Sequence, residues 1–165
     1  MKKYFLIIIL YSGAINAQII TKIEGISINA PCELEYTRNP GNQNNYSCPV
    51  QADEGKLYNY SVTVQNLQTH MNGLNESSLK AYKDSFLKSA EKDSKKSGDT
   101  TNYIKLSNGI VALSCISEIV YGKEKYKNIS IVFLYRAKSF IVNLTTNNLI
   151  KDNDVTELVN RISFK

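Results

Sequence analysis

The stretch Asn102–Thr146 constrains this chain most. It holds strand-like runs joined by short turns at Asn108-Gly109, Gly122 to Lys125 and Arg136 to Lys138. Asn-Gly between apolar runs is a strong local hairpin signal, because both central residues of a type I′ turn need positive φ. Two of the runs, Ile110–Tyr121 and Ile129–Tyr135, are apolar at nearly every position. A strand that is apolar at both parities is covered on both faces. An antiparallel meander with something packed above and below it is therefore expected.

Upstream, Leu57–Leu67 reads as a half-buried strand. Tyr58, Tyr60, Val62 and Val64 share one parity, and Asn59, Ser61, Thr63 and Gln65 the other. Ile19–Ile23, Gly25 and Ile26–Ile28 form a strand region ending at Pro31, and Ala52–Gly55 is turn chemistry. Asn75 can accept an orphan amide hydrogen bond as an N-cap, which predicts a helix from about Glu76 to Lys92. Its apolar stripe is Leu79, Tyr82, Phe86 and Ala90, with Leu87 at the edge. Ser94 to Thr101 reads as a flexible polar loop. Asn147-Asn148 ends the meander, Asp152 or Asp154 caps a second helix, and Val155, Leu158, Val159 and Ile162 give that helix its stripe. Phe164 closes the chain. The expected class is α+β, an antiparallel sheet with helices packed on its faces.

Of the 165 residues, Met1 to Ala17 read as a signal peptide, with basic Lys2-Lys3, an apolar Tyr4–Tyr11 and a cleavage site at Ile15-Asn16-Ala17. That apolar run is far short of the roughly 20 residues that span a bilayer. Residues 18–165 then form a single domain, secreted or periplasmic, without an integral membrane segment. Losing the leader lowers Lys+Arg from 20 to 18 against 15 acids, so the formal charge falls from +5 to +3. So mild a surplus gives no reason to expect a nucleic-acid partner.

An exported chain meets an oxidising compartment, where cysteines pair. Cys32 and Cys48 flank the loop Arg38–Asn42. A hairpin with Thr37 opposite Gln43 sets them opposite one another, which predicts a disulfide; closing a loop of this size is worth roughly 3 kcal/mol. Cys115, inside a strand run, reads as a buried thiol.

Catalytic signatures are sparse. His70 is the one histidine and stands in a loop; it makes neither an HExxH pair nor a zinc-type cluster. No G-x-S-x-G elbow, P-loop or G-x-G-x-x-G is present. Glu118 sits in an apolar strand, where burial would raise its pKa, although a strand end facing solvent explains it as well. The expectation is a non-enzymatic protein without cofactor or metal. Asn45, Asn59, Asn75, Asn128 and Asn143 begin N-x-Ser/Thr triplets, which an Asn-rich chain produces by chance. Tyr58 and Tyr60 could line a recognition surface or fill core. Lys80 and Lys83 on the helix, and Lys123-Lys125-Lys127 by the turn, could meet an anionic partner or simply be solvated.

Gly25-Ile26-Ser27-Ile28-Asn29-Ala30-Pro31, the single mid-chain helix, the meander, and a closing helix ending Arg161-Ile162-Ser163-Phe164-Lys165 resemble the PsbP-like superfamily, photosystem II subunit P and its relatives. The resemblance implies an α/β/α sandwich and a tendency toward protein binding; it carries over no catalytic residue. The leading expectation is an accessory module that engages another envelope protein. An exported immunity protein against a toxin is one alternative. A small-molecule or lipid carrier, with an apolar pocket beneath Leu79, Tyr82 and Phe86, is another.

Overall fold

The computed structural model describes residues 18–38, 43–51, 57–147 and 152–165. The expected leader Met1–Ala17, the tip of the Cys32–Cys48 hairpin, the Ala52–Gly55 turn and Asn148 lie outside the described residues.

Strands β1 (Ile19–Ile23), β2 (Ile26–Ala30), β3 (Glu35–Arg38), β4 (Gln43–Gln51) and β5 (Leu57–Asn66) come first. Helices α1 (Gln68–Met71) and α2 (Glu76–Lys96) follow. The meander is β6 (Thr100–Lys105), β7 (Val111–Tyr121), β8 (Glu124–Tyr135) and β9 (Lys138–Thr146), and the chain closes with α3 (Asp152–Asn160) and β10 (Ile162–Phe164). They build a seven-stranded antiparallel sheet, β3-β4-β5-β9-β8-β7-β6, and a three-stranded one, β1-β2-β10.

This corrects the expected α/β/α layering: strand far outweighs helix, and the helices do not cover both faces of a sandwich. One face of the large sheet meets the small sheet. Ile23, Ile26, Ile28 and Ala30 pack there with Tyr60, Val62 and Val64 of β5, Ile129, Ile131 and Phe133 of β8, and Phe140, Val142 and Leu144 of β9. Helix α3 joins the same core through Leu158. The physical reason lies in two short stretches. Ile26-Ser27-Ile28 is buried at all three positions, as only a strand covered on both faces is. Ile162-Ser163-Phe164 does not extend the last helix; it pairs with Ile28-Ser27-Ile26 as an edge strand. The closing segment of the PsbP-like likeness is thus a strand.

On the opposite face, α2 lies over β6, β7 and β8. Leu87 is the buried centre of its stripe, packed on Leu113, Cys115 and Val132, while Phe86 and Ala90 flank it half-buried. Asn75 caps α2 as expected: its Oδ1 accepts from the Ser78 amide at 2.8 Å. The helix runs past Lys92 to Lys96 rather than fraying into a loop. Ser94 faces the sheet and donates to the Cys115 thiol at 3.4 Å, and the stop comes at Gly98, whose φ of +85° glycine tolerates. Beside α2 the same sheet face is polar. Asn128 Nδ2 donates to Ser130 Oγ (2.8 Å), Ser130 Oγ to Asn143 Oδ1 (2.7 Å), and Asn143 Nδ2 to Ser61 Oγ (3.3 Å).

The Cys32–Cys48 disulfide is present, with the Cα atoms 6.1 Å apart. The register that suggested it is not. Thr37 lies opposite Asn45, two residues from the expected Gln43, and Cys32 precedes β3 in a bend. Slack in that bend brings the two sulfurs together despite the shift.

Candidate functional site

Two side-chain constellations stand out. The first binds the two sheets. The β1–β2 turn places Glu24 at φ +49°, with its carboxylate 2.7 Å from Lys138 Nζ. Asn44 Nδ2 donates to it at 2.7 Å and the Tyr46 hydroxyl at 3.4 Å. Burial pushes the Glu24 pKa up, but the Lys138, Asn44 and Tyr46 hydrogen bonds and the Lys138 charge outweigh it, so the carboxyl titrates below the ordinary range. Every strong donor near this carboxylate is already engaged, which makes it a clamp rather than a reactive acid.

The second is the outer half of the β7–β8 hairpin. Pairing of β6 with β7 ends at Thr100–Ile116, and pairing of β9 with β8 ends at Thr146–Lys127. Ser117–Tyr121 and Glu124–Tyr126 therefore continue as a two-stranded ribbon with no further strand beside them among the described residues. The ribbon turns at Gly122, φ +64°, a conformation glycine adopts without steric cost. Ile119 is 42% exposed and Val120 63%, pointing to opposite faces of the ribbon. Glu118 lies on it between Lys127 (2.9 Å) and Lys125 (3.0 Å). The Lys127 hydrogen bond, then that of Lys125, hold its carboxyl below the ordinary range. That is the opposite of a desolvated general acid.

The other sequence candidates are dispersed. Tyr60 is buried in the inter-sheet core under the Arg161 guanidinium, 5.4 Å from the ring, and Tyr58 is half-buried beside that core. Lys80 and Lys83 are exposed on α2, across the large sheet. These four do not form one surface. His70 is exposed in α1. Cys115 is a buried free thiol whose pKa is raised by burial, with the Ser94 hydrogen bond opposing. No cluster of three or more His, Cys, Asp or Glu with metal-binding geometry occurs among the described residues. No helix there is long and apolar enough to cross a membrane. A depression along α2 is lined by Lys88, Glu91, Lys92, Lys95 and Lys96, not by the apolar stripe a carrier would need.

The ribbon escaped sequence reasoning because Ile119-Val120-Tyr121 is written in the same apolar letters as the buried half of the strand. The signal available was the lysine alternation at 123, 125 and 127 on its partner strand.

No protein-family model matches the chain, and no curated protein matches it. Its fold is similar to a crystal structure of a protein from Bacteroides thetaiotaomicron VPI-5482, with a TM-score of 0.52 at 8% identity. The match covers 85% of this chain and 45% of that one, so this chain spans less than half of its structural neighbour. At that identity the likeness is one of fold alone.

Proposed function

We propose that this is an exported, non-enzymatic protein-binding module that engages another envelope protein through the β7–β8 ribbon. The observation that carries the reading is the pair Ile119 and Val120, large apolar side chains exposed on a strand segment with no further strand beside its outer edge among the described residues. Such an edge offers unpaired N–H and C=O groups as a template for a further strand, and natural folds cover or charge it unless it is used. The intramolecular disulfide is compatible with an oxidising compartment, which supports export.

A photoreactive phenylalanine analogue placed at position 120, and separately at position 83 on α2, tests this in cells. A discrete protein adduct from position 120 and none from 83 is the expected result. An adduct from 83 alone would move the contact to the helix, and none from either would overturn the reading.

A further inference from the structure

The N-x-Ser/Thr triplets take on a meaning once the strands are placed. Those beginning at Asn45, Asn59, Asn143 and Asn128 lie one each on β4, β5, β9 and β8, successive strands of the large sheet. A strand repeats every two residues, so each triplet sends its Asn and its hydroxyl to the same side. Register makes that side common to all four: Asn45 lies opposite Thr63, Asn59 opposite Thr145, and Asn143 between Ser61 and Ser130. Helix α2 packs on this face over β6, β7 and β8, and the triplet side chains beside it stay part-exposed. In a chain that is 21% charged, no residue on this face of β4, β5 or β9 carries a charge.

The face is also fixed in orientation. Thr145 Oγ1 donates to Asn128 Oδ1 at 2.8 Å, and from Asn128 the network runs through Ser130 and Asn143 to Ser61. An Asn amide has two N–H groups, and Asn128 and Asn143 each commit one of them here, so a surplus of donors remains. On neighbouring β4 the lack is of the opposite kind: Asn45 Oδ1 is buried with no hydrogen-bond partner among the described residues.

We propose that this face binds a neutral glycan chain bearing acetamido groups, laid across β4, β5, β9 and β8. The absence of charge complements an uncharged ligand and offers nothing to a phosphate backbone, which Lys and Arg would hold. The face also lacks the aromatic, Met and Arg anchors of a protein interface core. Acetamido carbonyls take the spare N–H groups, and an acetamido N–H satisfies Asn45 once its amide turns outward. Tyr126, two positions from Asn128 on the same face of β8 and half-buried, offers a ring to the apolar C–H face of a sugar. Strands lie roughly 4.8 Å apart, close to the rise per sugar of an extended β-linked chain, so each strand meets one sugar. Because the network already orients its amides, binding costs little ordering.

Titration of the isotope-labelled protein, disulfide intact, with the β-linked hexamer of N-acetylglucosamine is the test, followed in the amide spectrum. The side-chain amides of Asn59, Asn128 and Asn143 are expected to shift together and to saturate in the millimolar range or below. That of Asn153, on α3 and bonded to Glu157, should stay in place. Asn59→Lys, which sets a charge on the face, should weaken binding by at least about tenfold with an unchanged circular dichroism spectrum. The β-linked glucose hexamer, which has hydroxyls but no acetamido group, should bind more weakly by a similar factor. No shift with the acetamido hexamer, shifts scattered away from this face, equal binding of the glucose hexamer, or indifference to Asn59→Lys would each overturn the proposal. The adduct from position 120 reports on a different surface, so either reading can fail while the other stands.

Discussion

The inner and outer halves of one hairpin make the most instructive comparison in this molecule. From Leu113 to Ile116, β7 is flanked by β6 and β8 and roofed by α2, and facing it Ile129 to Leu134 of β8 is buried at all but Ser130. A few residues on, β7 carries Ile119 and Val120 into solvent. Along β7 the apolar letters continue from one half to the other while the neighbours change; β8 changes as well, to Glu124-Lys125-Tyr126-Lys127 in its outer half. An apolar strand is stable in either setting, but only the half with a layer on each face contributes its burial to folding.

Substitution should separate the halves sharply. Phe133 is fully buried, stacked on Phe140 at 5.2 Å and met edge-on by Phe164 at 5.8 Å. Phe133→Ala is expected to cost about 3–5 kcal/mol in urea unfolding, the range for a large aromatic leaving a cavity. Val120→Ala should stay within about 0.5 kcal/mol. Comparable losses at the two positions would mean that the ribbon is covered, and the contrast would fail.

The same contrast explains what the sequence disclosed. Periodicity placed β5 with Val62 and Val64 inward and found the meander, and Asn75 announced the cap. The β6–β7 turn lies where Asn108-Gly109 put it but is not the expected type I′, since only Gly109 has positive φ and the Gly109 amide donates to the Leu106 carbonyl at 2.8 Å. These signals are local. The β8–β9 turn shows how far such signals reach: Arg136 and Ala137 both adopt positive φ without glycine or asparagine. Contacts from elsewhere hold them there. Arg136 donates to the Lys165 carbonyl at 2.7 Å, and the Leu67 amide donates to the Ala137 carbonyl at 2.9 Å. The small sheet is wholly non-local as well. Ile162-Ser163-Phe164 becomes a strand only because β2, laid down near the start of the chain, offers it an edge. The ribbon was invisible for a related reason, since exposure depends on where β6 and β9 stop rather than on the residues of β7.

At the opposite edge from β6 and the ribbon, the large sheet is tied covalently. Cys32 and Cys48 fasten the segment before β3 to β4. Replacing both by serine should destabilise the fold by about 3 kcal/mol, the chain-entropy value for a loop of this length, less than Phe133→Ala at its upper range. Hydrogen exchange would sharpen the comparison. Amides of β3 and β4 should lose protection in the double mutant while those of Ser117–Tyr121, already open on one side, change little. A uniform rise across both edges would show that the disulfide supports the whole domain and not its own edge.

The smallest expected effect concerns the Glu24 clamp, and its sign follows from linkage. Its carboxyl titrates below the ordinary Glu value of roughly 4.3, because the Lys138, Asn44 and Tyr46 hydrogen bonds and the Lys138 charge outweigh the burial that opposes them. The folded state therefore holds the charged form more tightly than the unfolded chain does. The resulting stability is fully present above the unfolded-state value and is lost as pH falls through the lower folded-state value. Glu24→Gln keeps an acceptor for Asn44 but forfeits the Lys138 ion pair, so it should lower stability at neutral pH and flatten the acid limb of the stability curve in that window. The pH dependence of the urea midpoint for both proteins reads this out. Parallel acid limbs would mean that Lys138 holds Glu24 no more tightly in the fold than solvent does, and the joint between the two sheets would then rest on their shared apolar core.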